Sequence, residues 1–153
     1  MTNPNPTYIT AALWKLWQDA QSFIPGVRLG GIYANKSGYH NTVQANKASW
    51  PGNYSIRLAL DLTVPDNKAR AIDLTMDAAQ MRLRTGYLVA AAAANDPRLR
   101  PVREFYGTLN GTTVTGRIKD SETGPWRSST SDTSHLWHDH ISIFTKFCDR
   151  SEE

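Results

Sequence analysis

The stretch from Ser134 to Ile143, Ser-His-Leu-Trp-His-Asp-His-Ile-Ser-Ile, places the strongest constraint on how this chain can fold. Successive side chains of a β-strand point to opposite faces of its sheet. A strand here has one face with His138, His140 and Ser142 and another with Asp139, Ile141 and Ile143. The second face suits a protein core. Because histidine is the commonest metal ligand and titrates near neutral pH, the first face indicates metal binding or proton transfer.

Two helices are predicted upstream of this strand. The first begins after Thr10 and ends at Pro25-Gly26, and its tryptophans lie on an apolar stripe typical of core packing. The second begins at about Met76 with Thr75 as its cap, and Gly86 is a possible break within it. We assign neither helix a chemical role.

Short strand patterns accompany the helices. Residues 27–33 have strand character, and Asn110-Gly111 predicts a hairpin that joins strands at 102–107 and 112–118. Residues 119–134 are polar and predict an exposed loop. Together the patterns predict an α+β fold, with a small, mainly antiparallel sheet and flanking helices.

Length and composition restrict the class of protein. The chain of 153 residues suits a single domain spanning 1–153, in which we expect residues 1–9 and 145–153 to be loose tails. No apolar run approaches the roughly 18 residues of a membrane span, so we expect no membrane partner. The net charge is +3, but the basic residues are scattered, so we expect no nucleic-acid partner. The start is polar and lacks the pattern of a signal peptide.

Any metal in this protein would be held by histidine or carboxylate, because Cys148 is the only cysteine. His40 lies in a turn after the strand at 27–33, where site residues are common. Asp61 and Asp73 each lie within an apolar, strand-like run. A buried carboxylate needs a cation or hydrogen-bond donors, so each aspartate is either a functional group or a strand-edge acid that faces solvent.

Together these groups indicate a catalytic zinc site. His40, one of the two aspartates and the histidines of the last strand supply three protein ligands and leave a position for water. Zinc acidifies bound water and polarises a carbonyl, and a histidine that is not a ligand can move the proton. This chemistry favours hydrolysis of a peptide bond.

The order of a histidine, an aspartate among small residues and a final His-x-His resembles the zinc peptidases that include lysostaphin-type endopeptidases, D-alanyl-D-alanine peptidases and the hedgehog signalling domain. The resemblance implies that His40, Asp73 and His140 bind zinc and that His138 is catalytic. The spacing His135-x-x-His138-x-His140 also resembles murein endopeptidases, which implies an auxiliary catalytic role for His135. A hedgehog or D-alanyl-D-alanine peptidase-like fold is expected.

Two choices remain open within this resemblance. The family favours Gly-x-Ala-x-Asp, which Ala69-Arg70-Ala71-Ile72-Asp73 matches with alanine in place of glycine, so Asp61 is only the alternative metal ligand. Between His40 and Asp73 lie 32 residues (73 − 40 − 1), which requires an insertion. If Trp137-His138 is aligned instead with the carboxypeptidase branch, His138 becomes a ligand. We prefer the His-x-His alignment because every residue that it requires is present in the sequence.

The resemblance implies that the substrate is a peptide of bacterial peptidoglycan, cut by an endopeptidase or a D,D- or L,D-carboxypeptidase activity. Phage proteins with a similar closing strand imply action at the cell wall as a phage lysin or virion-associated protein. One alternative is an inactive zinc-binding, wall-binding or virion structural module of the same fold. Another is a metal-free basic domain in which the histidines form a polar cluster.

Overall fold

The computed structural model describes residues 1–149, and its centre is a six-stranded sheet in which all neighbouring strands are antiparallel. The strands are β1 (Arg28–Gly31), β2 (Ala71–Thr75), β3 (Val102–Gly107), β4 (Thr115–Ile118), β5 (Arg127–Ser129) and β6 (His138–Ile143). Their spatial order is β1-β2-β6-β3-β4-β5. The helices are α1 (Ala11–Phe23), α2 (Val43–Ser49) and α3 (Ala78–Ala93). The predicted α+β class and the small antiparallel sheet are confirmed.

One face of the sheet packs against α1 and α3 to form the core. Thr10 begins α1 as predicted, since its Oγ1 accepts the amide of Leu13 at 3.1 Å. Trp14 and Trp17 of α1 are 8% and 6% exposed and belong to the same apolar cluster as strand residues such as Ile141. Burying apolar side chains of this size contributes about 1.5–3 kcal/mol each, so this face anchors the sheet.

The start of α3 differs from the prediction. Asp77, not Thr75, caps the helix, because Thr75 is still paired within the sheet, whereas the Asp77 carboxylate accepts the amide of Gln80 at 2.8 Å. Gly86 does not interrupt the helix, which continues to Ala93. The result is a single helix across the core face.

The segment between His40 and β2 contains the helix α2 and two short 3₁₀ turns, Tyr54–Ile56 and Ala59–Asp61. The predicted strand around Asp61 is therefore wrong. The Asp61 carboxylate bends back to accept the amide of Leu58 at 3.2 Å, and such local bonding competes with an extended chain. This excursion fills the long separation between His40 and Asp73.

The predicted hairpin is present between β3 and β4. Its loop is longer than expected, because Asn110 Oδ1 accepts the amides of Thr112 and Thr113, both at 2.9 Å, and holds these residues in the turn. Residues 119–134 are not entirely loop. They include β5, which pairs with β4, and the start of a 3₁₀ turn at Thr133–Leu136.

Both chain ends differ from the expected loose tails where the structure describes them. Tyr8 stacks on Tyr33 with ring centroids 4.2 Å apart, and Trp14 Nε1 donates to the carbonyl of Met1. Near the other end, Thr10 Oγ1 donates to the carbonyl of Cys148, which is buried. The final residues, 150–153, lie outside the described part of the chain. Among residues 1–149, no helix combines the length and apolar character that crossing a bilayer requires.

Candidate metal centre

The three central strands bring the polar side chains of the last strand beside Asp73. In the register of β2 and β6, Asp73 lies opposite His140 and Thr75 lies opposite His138. Directly opposite residues of an antiparallel pair share a face of the sheet. The alternation predicted for β6 is confirmed, because Asp139 points the other way and forms an ion pair with Arg84 of α3.

His40 reaches this face from the loop that follows β1. The loop closes on itself, since the amide of Ala34 donates to the carbonyl of His40 at 3.0 Å. Its other side is tied to the chain just before β2, where the amide of Arg70 donates to the carbonyl of Tyr39 at 2.8 Å. These bonds hold the imidazole over the sheet, and the His40 side chain is buried.

His40, Asp73 and His140 form a compact group that could hold a metal ion. Asp73 Oδ1 lies 3.1 Å from His40 Nε2 and 2.8 Å from His140 Nδ1, and the two nitrogens are 3.2 Å apart. These candidate ligand atoms all lie within 4.8 Å of one another. The structure therefore brings together the three residues that the sequence singled out as ligands.

Hydrogen bonds at the far nitrogens indicate which tautomers the rings adopt. His40 Nδ1 lies 2.8 Å from the carbonyl oxygen of Ile32, which can only accept, so this nitrogen carries a hydrogen. His140 Nε2 lies 2.7 Å from Ser142 Oγ, and that hydroxyl donates to Glu104 Oε1 at 3.0 Å. His140 therefore donates from Nε2. In the neutral rings, both nitrogens that face Asp73 carry lone pairs.

Two lone pairs and a carboxylate that converge at this spacing require a cation or a proton between them. In the metal-free protein His140 takes up the proton. Burial lowers its pKa, but the hydrogen bond to Asp73 and the negative charge of the nearby Glu104 outweigh this effect and raise the pKa to about 9. Burial acts to raise the pKa of Asp73, yet the hydrogen bond from His140 and the close approach of His40 hold it well below the usual range. The donor set of two imidazoles and a carboxylate fits zinc.

A buried acid supports His140 from behind. Glu104 of β3 lies opposite Ser142 and is fully buried, and its carboxylate also accepts the hydroxyl of Tyr54 at 2.8 Å and that of Tyr106 at 3.3 Å. Metal-binding histidines commonly donate their second N–H to such a chain of acceptors, which fixes the ring and increases its basicity. Glu104 was not among the site residues predicted from the sequence. An acid within the apolar strand pattern of 102–107 is the same signal that identified Asp73.

His138 and His135 lie beside the group without joining it. His138 Nε2 is 3.6 Å from Asp73 Oδ2, whereas His40 and His140 approach Oδ1 of the same carboxylate. The ring of His135 lies 4.7 Å from that of His138 between centroids. His135 Nδ1 donates to the carbonyl of Asp132 at 3.1 Å, and burial lowers the pKa of His135, so its Nε2 is an unprotonated base near neutral pH.

Asp61, the alternative ligand, lies outside this group. Its carboxylate accepts the hydroxyl of Tyr39 at 2.6 Å and the amide of Leu58, and the same tyrosine oxygen accepts Nε of Arg103 at 3.2 Å. These partners occupy the carboxylate in a separate buried network. Of the two aspartates, the structure places only Asp73 at the candidate metal centre.

No family model matches the chain, and neither do any curated proteins or solved structures. The geometry of the His40, Asp73 and His140 group and the sequence resemblance described above are therefore the basis for a functional proposal.

Proposed function

We propose that the protein is a zinc-dependent peptidase that hydrolyses a peptide bond in bacterial peptidoglycan. The observation that supports this best is the convergence of His40 Nε2, Asp73 Oδ1 and His140 Nδ1, with a hydrogen-bond acceptor behind each imidazole. Three protein ligands leave a zinc position open, which distinguishes catalytic from structural zinc sites. The finer fold, of the hedgehog or D-alanyl-D-alanine peptidase type, belongs to the same proposal.

His40, Asp73 and His140 would hold the ion, and zinc bound there would acidify water and polarise the substrate carbonyl. Other groups of the chain would orient the ligands and His138. The Ile32 carbonyl and the Ser142 hydroxyl fix the two imidazoles as donors at their far nitrogens, so that the near nitrogens remain available as ligands. Asp73 Oδ2 is left to orient His138.

His138 is the residue we assign to proton transfer. It lies on the same face as His140, and its Nε2 is within 3.6 Å of Asp73 but outside the ligand group. A histidine in this position can carry a proton to the amine that leaves when the peptide bond breaks. His135 packs against His138 and supports its ring, with Nε2 free to exchange a proton.

The substrate class comes from the resemblance of the closing strand, Ser134 to Ile143, to cell-wall peptidases. We infer an endopeptidase or a D,D- or L,D-carboxypeptidase that acts on peptidoglycan as a phage lysin or virion-associated protein. An inactive wall-binding or virion module of the same fold would keep the metal group and lack cleavage, so metal content alone does not separate the two functions.

The test is incubation of the untagged protein with purified peptidoglycan, followed by mass spectrometry of the released fragments and measurement of protein-bound zinc. We expect the wild type to cleave, His140→Ala to lose both zinc and cleavage, and His138→Ala to lose cleavage while keeping zinc. Treatment with a chelator should abolish cleavage and added zinc should restore it. Stoichiometric zinc without cleavage on walls from several hosts would favour the binding module, and loss of zinc in His138→Ala would support the Trp137-His138 alignment.

A further inference from the structure

A cleft of about 460 Å³ lies at the end of the sheet where β1 and β6 begin and β2 ends. Arg28 of β1 lies opposite Thr75, and Thr75 lies opposite His138, so the three side chains form one row on the site face of the sheet. Arg28, Thr75 and Trp137 all line the cleft. Arg28 and Thr75 therefore connect the cleft with the row of side chains that leads to His138.

Arg28 is an uncommitted cation in this cleft. Its side chain is exposed, and among residues 1–149 no group forms a hydrogen bond or ion pair with its guanidinium. The acid in the cleft, Asp77, is occupied as the cap of α3, where its carboxylate accepts the amide of Gln80. A guanidinium offers a planar fork of donors that matches a carboxylate.

The lining of the cleft also includes apolar side chains. Trp137 directly precedes His138 and is 60% exposed, which is unusual for so large an apolar side chain. Met76, which also packs against the core, is another lining residue. An aromatic face next to a free guanidinium matches a ligand in which an aliphatic segment carries a carboxylate.

We propose that this cleft is the subsite for a free carboxylate of the peptide substrate, with Arg28 as the anion-binding residue and Trp137 packing on the adjoining aliphatic chain. The inference rests on the proposed function, because it takes the peptide as the ligand. Arg28 and His138 are two strand spacings apart, or about 10 Å, and an extended peptide covers about 3.3–3.6 Å per residue. The recognised carboxylate lies about three residues from the bond that is cut.

The test measures binding in a background that cannot cleave. In zinc-containing buffer, His138→Ala protein is titrated with the synthetic stem peptide L-Ala-D-isoglutamate-L-Lys-D-Ala-D-Ala and with the same peptide carrying amides in place of its free carboxylates. We expect the carboxylate peptide to bind about 10- to 100-fold more tightly, the range of a charge-assisted hydrogen bond. Adding Arg28→Gln should remove this preference. Adding Arg28→Lys should restore only part of it, because lysine lacks the planar fork.

Two further variants separate recognition from general damage. Arg82→Gln makes the same charge change at an exposed arginine of α3, on the opposite face of the sheet, and should leave the preference intact. Trp137→Ala should weaken both peptides by a similar factor, because the indole does not distinguish carboxylate from amide. Equal affinity of the His138→Ala protein for both peptides, no binding of either, or a preference that survives Arg28→Gln would overturn the subsite. A carboxylate preference without any cleavage by the wild type would instead reject the peptidase and leave the subsite standing.

Discussion

Replacing Ser142 with alanine tests whether the acceptor behind His140 matters for metal binding. The Ser142 hydroxyl is fully buried, lies 2.7 Å from His140 Nε2 and donates to Glu104 Oε1 at 3.0 Å. The alanine methyl can neither accept from His140 nor donate to Glu104. His140 Nε2 then has only the Glu104 carboxylate nearby, 3.5 Å away, which is too long for a good hydrogen bond.

We expect Ser142→Ala to bind zinc about 10- to 100-fold more weakly, because losing a partner behind a metal-binding histidine has this effect. At about 1.4 kcal/mol per tenfold change, the loss is about 1.4–2.8 kcal/mol. This agrees with the roughly 1.5–3 kcal/mol of a hydrogen bond to a charged group. Competition with a chromophoric chelator at constant pH measures the change in affinity.

Ser129→Ala is the matched control for this prediction. Its hydroxyl lies 2.8 Å from that of Tyr106, which donates to Glu104, so it belongs to the same network without touching His140. We expect its zinc affinity to remain within about twofold of the wild type, since the effect depends on direct contact with the ligand. An unchanged affinity in Ser142→Ala, or an equal loss in Ser129→Ala, would refute the assignment.

The other two predictions concern protons and the choice of aspartate. Zinc must displace the proton that gives His140 a pKa of about 9, so we expect zinc affinity to rise about tenfold per pH unit from neutral pH and to level off near pH 9. The same raised pKa stabilises the metal-free fold fully below pH 6.5 and progressively less as the pH rises through about 9. Urea unfolding with and without zinc measures this change in the free energy of unfolding. A zinc affinity that does not depend on pH would contradict the protonation of His140. Asp73→Asn should lose zinc. Asp61→Asn should keep zinc but lose about 1–3 kcal/mol of stability, because the substitution weakens the hydrogen bonds of Asp61 with Tyr39 and Leu58. Zinc loss in Asp61→Asn would contradict the placement of Asp61 outside the metal centre.

The local pattern of β6 was enough to predict its two faces. Strand geometry alone places His138 and His140 on one side and Ile141 on the other. The preference for Asp73 over Asp61 rested only on the small residues before Asp73, since both aspartates lie in nearly identical apolar runs. What separates them in the structure is pairing: Asp73 lies in a strand between two neighbours, and Asp61 turns back on its own backbone.

The support behind His140 could not be read from the sequence, because it depends on register between distant strands. Glu104 and Ser142 are 38 positions apart and meet only because β3 and β6 are neighbours in the sheet. The cap of α3 was predicted at the wrong residue for a similar reason. Thr75 has a good capping side chain, but it remains paired with Arg28 and His138, and this pairing moves the start of the helix to the next suitable residue, Asp77.

The position of β6 in the sheet has a consequence for how the protein is made. β6 follows the other five strands in the sequence, yet it lies between β2 and β3, which are not paired with each other. Until residues 138–143 have left the ribosome, neither His140 nor the strand that joins the two parts of the sheet is available for folding. A metal ion that binds His40, Asp73 and His140 can therefore find the complete group only after β6 has joined the sheet.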